Sequence, residues 1–245
     1  MLKRLSPILL PLALVLVAET WVRLAGVPVY LVPPPSAVAG RLLSDPVFFA
    51  GHAARTLLGA LLGLGLGVGV ALPLGAAMAH SPGLERTLLP LAILTKVTPV
   101  VALAPLFVIW FGFGWAPTVL IVALFTFFPV LVGAIAGLRS VDAGALAFLG
   151  SVAASPAEVF WKLRAPSALP HLFAALRVAL PLALIGAVVA EWLGSDRGLG
   201  HVVGAAHTRL DLPTLAAAVV VLATLGAFLT ALLARAERRA LFWQP

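Results

Sequence analysis

The sequence predicts an all-α, polytopic membrane protein of about six transmembrane helices, and three observations predict it. Hydrophobic residues make up 62% of the 245 and charged residues only 10%, against roughly half and a quarter in an ordinary globular domain, so most of the surface cannot face water. The mean hydropathy of +1.13 is spread along the whole chain. Apolar runs of the roughly 20 residues needed to cross about 30 Å of hydrocarbon recur six times, near 6–26, 54–79, 87–112, 116–138, 171–193 and 213–234. With no interruption long enough to be a second core, residues 1–245 read as one membrane domain.

Each element has its own local reason. The first run follows Lys3 and Arg4 and resembles a cleaved leader, but no small-x-small pattern precedes Glu19, and the apolar character continues through Trp21, Val22 and Leu24; a retained span is expected. Val32-Pro33-Pro34-Pro35-Ser36-Ala37 fixes an extended segment and then permits a short helix from Ser36, before Asp45-Pro46 turns the chain back. The second run is glycine-rich: Gly59, Gly63 and Gly67, and also Gly65 and Gly69, repeat at helical spacing, as where helix backbones approach closely. Lys96 sits about ten residues into the third run, placed either to snorkel or to face a water-filled cavity, and Glu191 closes the fifth.

The long connection 139–170 should have structure of its own. Ser155-Pro156 followed by Glu158 is a helix start, with Ser as N-cap, Pro at the first helical position and Glu at the third. Val159, Phe160 and Trp161 interleaved with Glu158, Lys162 and Arg164 make the helix short and amphipathic, suited to lie parallel to the membrane as an interfacial anchor or as a docking element. The connection 194–212, with Gly194, Gly198, Gly200 and Gly204 among Asp196, Arg197, His201 and His207, reads as flexible and polar.

Charge sets the orientation. With the N-terminus inside, Lys3, Arg4, Arg86, Arg139, Lys162, Arg164, Arg235, Arg238 and Arg239 are cytoplasmic, against Arg23, Arg41, Arg55, Arg197 and Arg209 outside, so nine positive charges oppose five and both termini are expected in the cytoplasm. The isoelectric point near 11.3 therefore reports topology, since the 16 Lys and Arg are scattered singly between apolar runs; no nucleic-acid partner is expected.

Several chemistries are excluded. There is no cysteine, hence no disulfide, thiolate metal site or cysteine nucleophile. Gly63-x-Gly65 and Gly65-x-Gly67 lack the third glycine, the preceding strand and the following acid of a dinucleotide loop. No Gly-x-x-x-x-Gly-Lys-Ser/Thr loop or Gly-x-Ser-x-Gly elbow occurs. His52, His80, His171, His201 and His207 are scattered, with no pair at the four-residue spacing one helix face would offer a metal, so they read as solvated. No catalytic residue, metal site or bound cofactor is expected.

Larger blocks resemble a known family. Pro33-Pro34-Pro35-Ser36-Ala37-Val38, then Thr98-Pro99-Val100-Val101-Ala102-Leu103-Ala104-Pro105-Leu106 with Ile109-Trp110-Phe111-Gly112-Phe113-Gly114, Phe127-Phe128-Pro129, and above all Ala153 to Pro170, are similar to the permease subunit of bacterial ATP-binding-cassette importers of the nitrate, sulfonate and taurine type. Ala190-Glu191, Gly198-Leu199-Gly200 and Glu237-Arg238-Arg239 with Trp243 match as well. The family's loop motif, Glu-Ala-Ala, three residues, Gly, nine residues, Ile-x-Leu-Pro, aligns without a gap when counted back from Pro166. Ala147-Phe148-Leu149 and Ala153 then replace its acidic triplet and glycine; Gly150 could stand for the glycine only if three residues were inserted.

The resemblance implies a type I importer permease fold in a bacterial inner membrane. A coupling helix would dock into a separate ATPase subunit that holds ATP and Mg, a solute-binding protein would deliver cargo, and a second permease copy would complete the pathway. It assigns Ala154, Ser155, Glu158, Val159, Phe160 and Trp161 to docking, with Pro166 and Pro170 stiffening the exit into the fifth span, and Glu191, Gly198 and Gly200 to an outer gate or binding-protein contact. The implied cargo is nitrate, a sulfonate, taurine, or a related small solute such as a pyrimidine precursor or riboflavin. A secondary transporter or channel without an ATPase would instead show inverted halves with broken helices, and a membrane-embedded enzyme would show polar residues clustered at one depth; neither pattern is visible.

Overall fold

A computed structural model describes residues 2–243, with side chains from Leu10 onward except Pro11, so the charges of Lys3 and Arg4 lie outside the described side chains. Among the described residues the fold is entirely helical. In chain order the helices are α1 (Leu2–Leu24), α2 (Pro35–Ser44), α3 (Pro46–His80), α4 (Pro82–Val97), α5 (Val100–Phe111), α6 (Trp115–Arg139), α7 (Ala143–Ser151), α8 (Pro156–Val159), α9 (Ala165–Gly194), α10 (Leu199–Thr208) and α11 (Leu212–Ala240). Proline and short polar side chains set the starts: Pro46 follows an Asp45 carboxylate that accepts from Phe48 N at 3.0 Å, and Pro82 follows Ser81, whose hydroxyl accepts from Leu84 N at 3.3 Å.

Among the described residues, four helices are long and apolar enough to span a membrane: α3, the continuous rod from Pro156 through α9 to Gly194, α6, and α11. The third apolar run, read from sequence as one span at 87–112, is two helices. α4 and α5 satisfy the same length and composition test together, but meet at 92°. Thr98 is extended at the break (φ −65°, ψ 126°), as expected before Pro99, whose ring disfavours a helical predecessor and whose nitrogen donates nothing. The expected first span, 6–26, falls in part on residues whose side chains lie outside those described.

α6 lies between α3 and α9, and small residues bring the three backbones together. A Cβ on Gly63 would overlap the Val122 side chain and come within 2.8 Å of the Val119 carbonyl, and one on Gly75 would meet Ala134 at 2.7 Å. On the other flank, a Cβ on Gly137 would stand 3.0 Å from the Ala168 backbone. Val130, Leu131, Ala71, Met78 and Ala179 fill one end of this three-helix core, and Ala60, Val122, Ala183 and Ala187 the other. The two glycine series are not equivalent: Gly59, Gly63 and Gly67 face α6, whereas Gly65 and Gly69 have nothing within 4 Å.

That asymmetry is testable. Gly63→Ala overpacks the α3–α6 contact at a cost of about 1–3 kcal/mol, lowering the midpoint of thermal unfolding in detergent by roughly 2–10 °C, while Gly65→Ala leaves it unchanged.

Candidate functional site

Two clusters of sequence-predicted residues sit at opposite ends of the rod from Pro156 to Gly194, about 50 Å apart at 1.5 Å per residue. The first is the turn at Pro156. Ser155 Oγ accepts from Glu158 N at 3.3 Å while Glu158 Oε2 accepts from Ser155 N at 3.0 Å, a reciprocal cap. Lys162 Nζ donates to Glu158 Oε1 at 2.8 Å, and Lys162, with the Ser155 groups, holds the exposed Glu158 carboxyl well below the usual carboxylate range. The cap is therefore formed at any pH near neutrality and is lost only in strong acid, as pH falls through that lowered value.

Beyond the cap the chain does not break. Residues Phe160–Arg164 form one wide turn in which Ala165 N–H bonds the Phe160 carbonyl, five residues back, and the helix continues as α9. Pro166 explains the widening, since it has no N–H for the Lys162 carbonyl. The separate membrane-parallel helix expected from amphipathicity is instead the first two turns of the long rod. Pro166 opens that rod and Pro170 lies inside it.

Trp161 projects into solvent, 71% exposed, with the Phe160 ring edge-on at 5.0 Å. Phe160 in turn faces His80 at the end of α3, at 6.3 Å. Arg164 donates to the Leu138 carbonyl at 3.2 Å. Arg139 bonds the Met78 carbonyl at 3.1 Å and pairs with Glu85 at 2.6 Å. The turn is thus stapled to the end of α6, which Arg139 in turn holds to the ends of α3 and α4. Ala154, Ser155, Glu158, Val159, Phe160 and Trp161 all fall within it.

The second cluster closes the far end. Glu191 and Thr56 are buried, at 1% and 0% exposure. Glu191 Oε2 accepts from Thr56 Oγ1 at 2.8 Å and from Gly200 N at 3.0 Å, and Thr56 Oγ1 accepts from Leu199 N at 2.8 Å. His52 Nδ1 accepts from Gly198 N at 3.0 Å. Three successive N–H groups at the start of α10 are therefore held by α3 and α9. Glycine is required here twice over: Gly198 has φ +103°, where L side chains are strained, and a Cβ on it would overlap the Glu191 carboxylate. A Cβ on Gly200 would likewise collide with the Val188 carbonyl.

Three sequence readings change accordingly. The 194–212 connection is not a flexible polar loop, because its centre is α10, with Leu199, Gly200, Val202 and Ala206 buried. His52 is not a solvated loop histidine, since it caps α10 and packs on the Phe48 ring at 4.5 Å. Thr56 was not singled out as a partner of Glu191. Thr56 lies 135 residues from Glu191, and only the packing of α3 on α9 joins them. Arg55 lies flat over Trp115, its guanidinium 3.1 Å from the ring centroid. No group of three potential metal ligands occurs among the described residues.

Residues 63–241 match the family described as binding-protein-dependent transport system inner membrane component. The formylaminopyrimidine transport permease ThiX of Halalkalibacterium halodurans is 36% identical over 98% of this chain and 96% of its own length. The riboflavin transport system permease RibX of Chloroflexus aurantiacus is 36% identical over 96% and 90%. The taurine transport system permease TauC of Escherichia coli is 36% identical over 88% and 81%. The chain belongs to this family. It is the permease subunit of an ATP-binding-cassette importer, a transport component.

Within the permease loop, the position aligned with the family glycine is Ala153, and its backbone is left-handed, φ +52°. Gly150 lies inside α7 with open space around it. The ungapped register is thereby the one whose backbone needs glycine.

Two predictions follow from these geometries. Glu191→Ala strips Gly200 N–H of its acceptor, a loss worth about 1–3 kcal/mol, and leaves Thr56 Oγ1 only the His52 carbonyl at 3.2 Å, so amides 198–200 exchange hydrogen at least about fivefold faster. Glu191→Gln retains an oxygen of the same reach and restores most of the protection. Unchanged exchange in the alanine variant would mean that α10 is held by its apolar face alone. Ala153→Gly relieves a left-handed alanine and raises stability by about 0.5–1 kcal/mol, read as a higher unfolding midpoint of the detergent-solubilised permease.

Proposed function

We propose that the α8 turn is the seat of the ATPase subunit on the cytoplasmic side and that the Glu191 cluster lies at the outer face, where a binding protein delivers solute. The observation that carries this is the exposed Trp161, backed by the half-buried Phe160, on a capped turn that is continuous with α9. A membrane chain with no ATP site is driven only through another subunit's motion. A stiff projection held in a groove of that subunit transmits it, shifting the permease between inward- and outward-facing states.

In this reading Ala154, Ser155, Glu158 and Val159 shape the turn, Phe160 and Trp161 fill the ATPase groove, and Pro166 and Pro170 stiffen the link to α9. Glu191, Gly198 and Gly200 hold α10 as a firm outer element for gating or for binding-protein contact. ATP and Mg are held by the ATPase, not by this chain. The excess of positive charge on the connections at the α8 end sets both termini in the cytoplasm of a bacterial inner membrane. Two copies of the permease form the closed, symmetric pathway, since self-pairing is the commonest assembly. The solute is a small anion such as nitrate, a sulfonate or taurine, or a related small solute of the kind named for the relatives, a pyrimidine precursor or riboflavin.

Truncating the docking pair separates drive from insertion. In Phe160→Ala, membrane abundance is unchanged while ATP-dependent uptake in proteoliposomes containing the purified permease–ATPase complex falls at least about tenfold, the loss expected when a buried aromatic anchor is removed from an interface. Uptake at the wild-type rate would remove Phe160 from the interface. A chain that purifies without an ATPase and moves solute down an ion gradient would replace the importer reading with a secondary transporter.

A further inference from the structure

Two buried side-chain atoms lack a hydrogen-bond partner among the described residues, and they belong to groups of opposite charge: Glu191 Oε1 and Arg55 Nη1. Glu191 is 1% exposed, and both donors that reach its carboxylate, Thr56 Oγ1 at 2.8 Å and Gly200 N at 3.0 Å, go to Oε2. A carboxylate taken out of water needs donors on its remaining lone pairs, so Oε1 carries an unmet demand.

Arg55 precedes Thr56 on α3 and is near enough for its charge and that of Glu191 to attract. It nevertheless enters no ion pair among the described residues. Its guanidinium lies on the Trp115 ring instead, 3.1 Å from the centroid. Part of the Arg55 side chain keeps contact with solvent, so the deficit lies with Glu191. Asp196 is the other carboxylate whose charge reaches Arg55, but its side chain is 79% exposed and water screens it.

Arg55, Trp115 and Glu191 stand on α3, α6 and α9, one on each rod of the core. Trp115 occupies a corner that can turn. It opens α6 directly after Gly112 (φ +75°) and Gly114 (φ +132°), and nothing lies within 4 Å of a Cβ at either glycine. The residues after it are fixed, since Pro117 and Thr118 are buried and a Cβ on Gly59 would meet Thr118 at 2.9 Å. The glycine corner joins α6 to α5, and α5 leans on the α9 residues that flank Glu191. Ala104 packs in one cluster with Ala190, and a Cβ on Gly194 would overlap Val108. A shift of α9 is therefore passed through α5 to the corner that holds Trp115.

We propose that Arg55 is a two-position arm of the outer gate, resting on Trp115 in one state of the transport cycle and pairing with Glu191 Oε1 in the other. The inference rests on the importer permease reading and gives its outer cluster a moving part. A guanidinium suits both positions, since its face stacks on a ring and its edge donates to a carboxylate. The two holds compete for one side chain. Whichever state draws Arg55 off the ring also gives Glu191 its missing donor, and such an exchange of partners favours two discrete arrangements over a continuous range.

The chain holds six tryptophans, and a permease–ATPase complex made with 5-fluorotryptophan gives each a fluorine resonance. The Trp115 resonance is the one missing from Trp115→Phe, and Arg55→Gln marks the position of the unstacked ring. Spectra are compared for the nucleotide-free complex and for the complex trapped with ATP and vanadate. In the wild type the Trp115 resonance shifts between the stacked and the unstacked position when the complex is trapped. In Glu191→Gln, which keeps an oxygen but not the charge, it stays at the stacked position in both states. In Asp196→Asn it shifts as in the wild type.

A single Trp115 position in both states of the wild type overturns the proposal, and that comparison needs no change in the Glu191 cluster. So does an equal shift in Glu191→Gln, which makes the ring's motion independent of the carboxylate, or loss of the shift in Asp196→Asn, which makes Asp196 the acceptor. The importer reading fails separately, by absence of an ATPase from the purified wild-type complex, an outcome that does not depend on residue 55.

Discussion

The close approach of α3, α6 and α9 is the constraint on which the rest of the structure depends. In a bilayer no hydrophobic force draws one apolar helix to another, so association relies on backbone proximity, dispersion and the few hydrogen bonds available. Gly63 and Gly75 on α3, and Gly137 on α6, remove the side chains that would keep the rods apart. With those contacts in place, Thr56 of α3 comes level with Glu191 of α9, and Arg139 of α6 comes within reach of the ends of α3 and α4. Neither cluster would exist if the three axes were a side-chain diameter further apart.

Both functional ends consequently share one mechanical part. The rod from Pro156 to Gly194 begins at the capped turn and finishes at the Glu191 lock. The wide turn at Phe160–Arg164 lies at the foot of the capped turn, where Arg164 grips the Leu138 carbonyl. A lateral push on Trp161 is therefore delivered to a helix already packed along its length on α6, and hydrogen-bonded at its far end to α10. Packed cores of this kind move as units between discrete arrangements and do not absorb a displacement gradually.

What the sequence made legible, and what it did not, divides along physical lines. The all-helical membrane class, the Pro35 and Ser155 helix starts and the glycine face of α3 are properties of composition and short spacing, so they can be read one segment at a time. The bend at Thr98–Pro99 was carried by the same proline rule, but the run around it is uniformly apolar and hydropathy does not register direction. α10 was obscured because glycine has two meanings: at Gly200 and Gly204 it marks contact with Val188 and Trp192, not looseness. The partners of Glu191 could not be read locally at all. A buried carboxylate announces a need for donors, yet its hydroxyl donor stands on a helix 135 residues away and its amide donor on a helix that the glycine content disguised.

The intact rod and the broken pair have complementary roles in such an architecture. A strut must keep its backbone hydrogen bonds, because every opened bond in hydrocarbon costs free energy and softens the helix. A solute site gains from the opposite, since opened backbone supplies donors and room, and is tolerated in a membrane only where it is buried in protein or lines a cavity. α9 stays helical through Pro170 and Pro181, while the α4–α5 pair breaks at Pro99 and turns by 92°. The cavity at that bend is walled by α6 and α9, the same two helices that carry the docking staple and the rod. Any shift of the rod against α6 must therefore change the shape of the cavity at the bend.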